Sequence, residues 1–132
     1  MDRLGTPFQT SSEVLEEGLE VNCNMKYYFF KLIPPRVTFP GDITPTEALL
    51  MQEHSIYWKE YMNQGLVVAF GPVFDPKGPY GVGIIRLEDG GGDPSSMCAN
   101  DPTVLANVGF TYEVHPMPSL VLPDKAVERR SN

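Results

Sequence analysis

The sequence predicts an α+β domain whose elements follow the order strand, helix, strand, strand, helix, strand. Three observations favour this prediction. Residues 45–64 form a helix pattern with a start and a stop signal. Four segments rich in aromatic and β-branched residues are typical of strands, namely 26–33, 66–70, 80–87 and 108–115. Thirteen prolines and twelve glycines mark the turns that separate these segments.

The predicted helix over residues 45–64 has the clearest boundaries in the chain. Thr44 is a favourable N-cap, Pro45 suits the first helical position, and Glu47 stands three residues after Thr44, as a capping box requires. Gly65 provides the left-handed residue that ends a helix. At about 1.5 Å per residue, the helix is expected to be about 30 Å long.

A second helical region is predicted between the third and fourth strands. Asp93 and Asp101 are each followed by a proline, which is the pattern of an N-cap and a first helical residue. Two short helices are therefore expected, over residues 94–99 and 102–107. The last strand is expected to stop at Pro116.

The first strand is apolar on both faces. Tyr27 and Phe29 point to one side, and Tyr28, Phe30 and Leu32 point to the other. Two helices can cover only one face of a four-stranded antiparallel sheet. The element order is that of the ferredoxin-like βαββαβ fold, and the economical cover for the second face is another copy of the chain. The sequence therefore predicts a homodimer.

Composition excludes several classes of partner. The formal net charge is −7 and there is no basic stripe, which argues against nucleic acid and anionic membranes. No apolar run reaches the length of a membrane span. Cys23 and Cys98 match no zinc or redox spacing, so we expect reduced thiols in a cytoplasmic protein without a cofactor. Residues 1–24 are interpreted as an acidic N-terminal extension, 25–118 as the domain, and 119–132 as a C-terminal tail.

Four features follow one another along the chain: a long helix that carries a histidine, a strand that ends in Gly71-Pro72, a hairpin, and Asn100-Asp101-Pro102 before a last strand. In this order they resemble the YciI-like (YCII-related) family. The resemblance covers residues 25–118 and implies a dimeric α+β barrel. It also implies a small cofactor-independent enzyme, of the lyase or isomerase type, that acts on a ring or carbonyl compound. The proposed histidine–aspartate pair of the family falls on His54 and Asp101. This chain differs from shorter members in its N-terminal extension, its long loop at 34–45 and its glycine-rich insert at 90–92.

His54 and Asp101 are the candidate catalytic residues. His54 lies on the inward stripe of the helix, where an ionisable ring needs a partner or a purpose. An imidazole accepts and returns protons near neutral pH, and a carboxylate on its other nitrogen fixes the tautomer. The simpler interpretation is that His54 is a hydrogen-bonded core residue and Asp101 only a helix cap. We expect a direct or one-water link between the two side chains at the edge of a cleft.

The candidate substrate-binding residues are Tyr57, Trp58, Gly71 and Tyr80. The aromatic members could line a pocket for an aromatic ligand, but aromatics at helical spacing are more often plain core. Gly81 and Gly83 indicate a bulge, the close approach of another group such as a ligand, or an ordinary irregularity of the strand.

His115, on the polar face of the last strand, is expected to be solvated or at the dimer interface. A metal site built from it with His54, Cys98 and Asp101 has no supporting ligand spacing. Two hypotheses follow: a cofactor-free enzyme, and a non-catalytic ligand-binding or interaction module of the same fold. A cavity that reaches His54 favours the enzyme, and a His54 ring packed on all sides favours the binding module.

Overall fold

The computed structural model describes residues 25–123, so the predicted extension at 1–24 and residues 124–132 of the predicted tail lie outside it. Four strands form one antiparallel sheet in the order β2-β3-β1-β4. The described chain therefore has an α+β fold, as predicted. Its elements are β1 (Met25–Ile33), α1 (Pro45–Asn63), β2 (Val67–Val73), β3 (Tyr80–Glu88), α2 (Pro94–Ala99), α3 (Pro102–Leu105) and β4 (Thr111–Met117).

Helix α1 begins where the sequence predicts. The Thr44 hydroxyl accepts a hydrogen bond from the Glu47 backbone, and the Glu47 carboxylate accepts one from the Thr44 backbone, which completes the capping box. Gly65 follows the helix with a φ of 83°, in the left-handed region that glycine adopts without steric cost. No described helix has the combination of length and apolarity that a membrane-spanning segment needs.

The core lies on one side of the sheet. Phe30 and Leu32 of β1 are buried there together with Ile85 of β3. The ring of Trp58, from α1, is fully buried and stacks on Phe30 with centroids 4.5 Å apart. Gly83 of β3 lies beneath this ring pair, because a Cβ at that position would be only 2.9 Å from the Phe30 ring. The close approach predicted at Gly83 is therefore made by a core aromatic ring.

The opposite face of the sheet holds side chains that do not join the core. Tyr27 and Phe29 of β1 and Ile84 of β3 are half-buried and alternate with the core residues of their strands. Since strand residues alternate between faces, these three side chains lie together on what we call the open face.

Strand β4 differs from the prediction at both ends. It begins at Thr111, three residues later than expected, because Asn107 and Gly109 have φ values of 58° and 108° and turn the chain before it. It also continues through Pro116, which was wrongly predicted to stop it. Strand β4 is at the edge of the sheet, where a residue without a backbone N–H is tolerated. The register shift of the sheet lies in β2, between Val67 and Ala69.

The loop between β1 and α1 is tied to the helix by an ionic network. Arg36 donates two hydrogen bonds to the Glu47 carboxylate, at 2.7 and 2.8 Å, and another from its Nε to Asp42 at 3.0 Å. Thr38 donates to the same aspartate at 2.6 Å. Bidentate pairing of this kind is more specific in geometry than an ordinary surface ion pair. Glu47 therefore serves both as the capping residue of α1 and as the anchor of the loop.

We expect Glu47→Gln to lower the melting temperature by several degrees at pH 7, because it removes the ion pair with Arg36. The guanidinium hydrogen bonds lower the pKa of the Glu47 carboxyl from 4.5 to about 2. This contribution to stability is therefore complete above about pH 4.5 and is lost as the pH falls toward 2. Thermal melts followed by circular dichroism from pH 7 to pH 2 should show the two proteins converging at low pH.

Glu53→Gln is the matched control, since Glu53 is exposed on the same helix and forms no ion pair within residues 25–123. A difference between Glu47→Gln and the unmodified protein that stays constant over this pH range would contradict the assignment.

Candidate functional site

Asp101 is a fully buried carboxylate between helices α2 and α3. It is the N-cap of α3, and its Oδ1 accepts hydrogen bonds from the backbone N–H of Thr103 at 2.9 Å and from the Thr103 hydroxyl at 2.7 Å. The cap predicted from the Asp-Pro pattern is thus confirmed. One oxygen is occupied by this cap, and the other remains for a partner elsewhere in the chain.

The second oxygen of Asp101 binds two side chains of α1. Its Oδ2 lies 2.7 Å from Nδ1 of His54 and accepts a hydrogen bond of 2.6 Å from Nε1 of Trp58. His54 and Trp58 are four residues apart, so both point from the same face of the helix. The predicted direct link between His54 and Asp101 is confirmed as a contact, and it joins α1 to α3.

The carboxylate is held in its ionised form. Burial alone would raise the pKa of Asp101, but the hydrogen bond and charge interaction with His54, together with the hydrogen bonds from Trp58 and Thr103, lower it below its ordinary value. An ionised carboxylate only accepts hydrogen bonds, so Nδ1 of His54 is the donor. In the neutral ring, Nε2 then carries the lone pair, and it has no hydrogen-bond partner among residues 25–123.

A cavity of about 410 Å³ reaches His54. One wall is the loop between β1 and α1, which contributes Phe39, Pro40 and Ile43. Phe39 is itself buried and packs edge-on against Phe110, with ring centroids 5.6 Å apart. The volume is in the range of small-molecule sites. The His54 ring is thus held by Asp101 at one nitrogen and borders a ligand-sized space.

The predicted substrate-binding residues separate into two groups. Gly71 and Tyr80 line the cavity. Trp58 and Tyr57 do not, because their rings turn toward the interior of the domain. Trp58 is fully buried and donates to Asp101, whereas Tyr57 donates its hydroxyl to the backbone oxygen of Met97 at 2.8 Å. In this structure both side chains make structural contacts, and their predicted role in substrate binding stays a prediction.

Neither His115 nor Cys98 lines the cavity. His115 is exposed on β4, where its Nε2 is 3.2 Å from the Glu113 carboxylate. Cys98 is fully buried, and burial, followed by the charges of Asp101 and Asp93, raises the pKa of its thiol to about 12. A thiol with such a pKa is a poor nucleophile and a poor metal ligand near neutral pH. Within residues 25–123 there is no group of three or more histidine, cysteine or acidic residues with the arrangement of a metal site.

Several members of the site were missed from the sequence. Thr103 could have been found, since a threonine two residues after a capping aspartate is placed to donate to it. Ser55 borders the cavity next to His54 and could have been noted from its position. Nothing in the local spacing indicates that Phe39 forms a wall, because its position depends on how the loop folds back over the sheet.

Comparisons with protein-family models, with curated proteins and with solved structures found no match to this chain.

We expect Thr103→Val to destabilise the domain by about 1.5–3 kcal/mol, the usual range for a hydrogen bond to a charged group. Valine has nearly the same shape as threonine but cannot donate to Oδ1 of Asp101. Urea denaturation measures the change in the free energy of unfolding. Thr111→Val, at an exposed position of β4, is the control and should change this free energy by less than about 0.5 kcal/mol. Equal effects of the two substitutions would contradict the role given to Thr103.

Proposed function

We propose that this protein is a YciI-like, cofactor-independent enzyme that transfers a proton on a small ring or carbonyl compound, with His54 as the general base. The observation that supports this proposal most is the placement of the His54 ring. A buried, ionised carboxylate accepts a hydrogen bond from one ring nitrogen, and the ring borders a cavity of about 410 Å³. A histidine that only stabilised the core would not need a ligand-sized space beside it.

The chemistry follows from the two ring nitrogens. Nε2 of the neutral imidazole accepts a proton from an acidic C–H or O–H of the bound compound, and the electron pair stays on that compound. The ring becomes an imidazolium, which the negative charge of Asp101 stabilises across the 2.7 Å contact at Nδ1. The imidazolium then returns a proton to the same or another atom of the compound, which gives an isomerisation, or to a departing group, which gives an elimination.

The environment of Asp101 supports its role as the residue that orients His54. Four donors surround its two oxygens, so the carboxylate cannot rotate without breaking several hydrogen bonds. A rigid carboxylate keeps the imidazole in one orientation and one tautomer, which is what a general base requires.

The alternative is a non-catalytic ligand-binding module in which the same contact only ties α1 to α3. Both hypotheses use the cavity, so binding of a ligand does not separate them. They differ in whether a C–H bond of the bound compound breaks.

We expect the protein to accelerate hydrogen–deuterium exchange at the acidic C–H positions of 2-indanone or 2-tetralone in D₂O, followed by proton NMR. His54→Ala and His54→Gln should reduce the catalysed rate by about a hundredfold or more, because they remove the base. Asp101→Asn should also reduce it, because an amide cannot offset the charge of the imidazolium. Circular dichroism establishes that each variant is folded.

His115→Ala is the matched control, since it removes the other histidine of the chain at an exposed position. Exchange that is equally fast with and without His54, or no acceleration across a panel of ring ketones and lactones, would favour the binding module.

We further propose that the sheet is that of a ferredoxin-like domain and that two copies pair through the open face as a dimeric α+β barrel. Support comes from the order β2-β3-β1-β4 and from the half-buried apolar side chains of Phe29 and Ile84.

Light scattering is expected to give the mass of a dimer at micromolar concentration, since apolar burial contributes about 25 cal/mol per Å². Ile84→Glu should produce monomers, because it places a charge at the centre of the open face. Ile56→Glu introduces the same charge at an exposed position of α1 and should leave the dimer intact. A monomeric unmodified protein at micromolar concentration would end the dimer proposal.

A further inference from the structure

The described wall of the cavity beside His54 carries no charged side chain. Among residues 25–123, those that line the cavity include no lysine, arginine, aspartate or glutamate, and their only polar side chains are those of His54, Ser55 and Tyr80. Arg36 is part of the loop that forms one wall, but its guanidinium is occupied by Asp42 and Glu47. The ammonium of Lys31 lies 4.4 Å from the centroid of the Tyr80 ring, but Lys31 is not itself part of the described lining. A ligand with a fixed negative charge would therefore lose hydration without gaining a cationic side chain of this lining as its partner.

The cavity walls are stiff and largely flat. Of the seventeen lining residues in the part of the chain that the structure describes, nine are proline, phenylalanine or tyrosine, including Pro34 and Pro40 in the loop and Phe70 and Pro72 in β2. These side chains have few rotatable bonds, so they keep their shape when a ligand binds. Planar rings make large contacts with such surfaces, whereas flexible chains lose more conformational entropy on entering them.

The base function also restricts the charge of the ligand. A compound that arrived as an anion next to His54 would favour the protonated ring, and a protonated ring cannot accept another proton. After the transfer, the imidazolium is the only cation that the lining residues within 25–123 offer to the new anion. The negative charge must therefore be spread over the compound itself, as in a phenolate or the enolate of a conjugated ring ketone.

We infer that the site takes an uncharged, planar ring compound with a weakly acidic O–H or C–H, and that it discriminates against organic anions of the same shape. This inference rests on the proposed function for the role of His54. The bond from the acidic oxygen or carbon to hydrogen breaks, the bond from Nε2 to hydrogen forms, and the electron pair remains delocalised on the ring system. No oxidant, reductant or other reactant is needed.

Two naphthalene derivatives of nearly equal shape test the inference. 2-Naphthol is uncharged at pH 7, whereas 2-naphthoate is an anion. Isothermal titration calorimetry with the full chain should show that 2-naphthol binds at least tenfold more tightly than 2-naphthoate. Equal affinities, tighter binding of 2-naphthoate, or no binding of 2-naphthol at millimolar concentration would overturn the inference.

A positive charge introduced at the cavity provides a second test of the inference. Ser55 borders the cavity and is exposed on its other side, so Ser55→Lys should introduce a cation there without disturbing the core. The preference for 2-naphthol should fall severalfold or reverse. Gln52→Lys is the matched control, since Gln52 is exposed on the same helix and does not line the cavity. An equal change in both lysine variants would mean that the selectivity does not originate in this cavity and would overturn the inference.

The outcome is separable from that of the exchange experiment. If 2-naphthol binds selectively but exchange does not need His54, the inferred ligand class is supported and the proposed enzymatic function is contradicted. If exchange needs His54 but 2-naphthoate binds tightly, the proposed enzymatic function is supported and the inferred ligand class is contradicted.

Discussion

A single buried carboxylate organises this domain. Asp101 is not exposed at all, yet it is ionised, and its cost of desolvation is offset only because four hydrogen bonds converge on its two oxygens. Two of these donors come from α1 and two from the first turn of α3. The contact between the helices, the cap of α3 and the orientation of His54 therefore all depend on the same group. Removing one donor leaves the remaining charge less well satisfied, so the four hydrogen bonds are not independent of one another.

The same arrangement explains why one helix contributes both structure and chemistry. The four-residue spacing brings His54 and Trp58 to the same oxygen, but the two rings have different surroundings. Trp58 is enclosed between the helix and the sheet, where it stacks on Phe30, and Gly83 leaves room for that stack. His54 lies nearer the end of the sheet that the loop between β1 and α1 covers, so its ring borders the cavity. Two neighbouring positions on one helical face thus have different roles because different parts of the structure lie opposite them.

The features that could be predicted from the sequence are those that depend on residues close together along the chain. Thr44 and Glu47 mark the start of α1 by their spacing, and the capping role of Asp101 follows from the proline after it. Local patterns were not enough to predict the contact between His54 and Asp101. That prediction also required the order of the elements and the resemblance to a family. The ring of Trp58 was interpreted as a pocket wall because its helical position does not reveal that a carboxylate lies 43 residues further along the chain. The continuation of β4 through Pro116 was missed because it depends on the strand being at the edge of the sheet, which no local pattern states.

The double role of Glu47 has a consequence for how the cavity could open. Its carboxylate accepts from the backbone of Thr44 and also from the guanidinium of Arg36, so the first turn of α1 and the wall formed by the loop share one group. Separating that wall from the helix would break the ion pair and leave Glu47 held only by the capping box. The loop and the first turn of α1 therefore share a residue whose hydrogen bonds restrain both. The entrance to the cavity is coupled thermodynamically to the first turn of α1, and any ligand that binds more tightly to the closed form also makes that turn more resistant to unfolding.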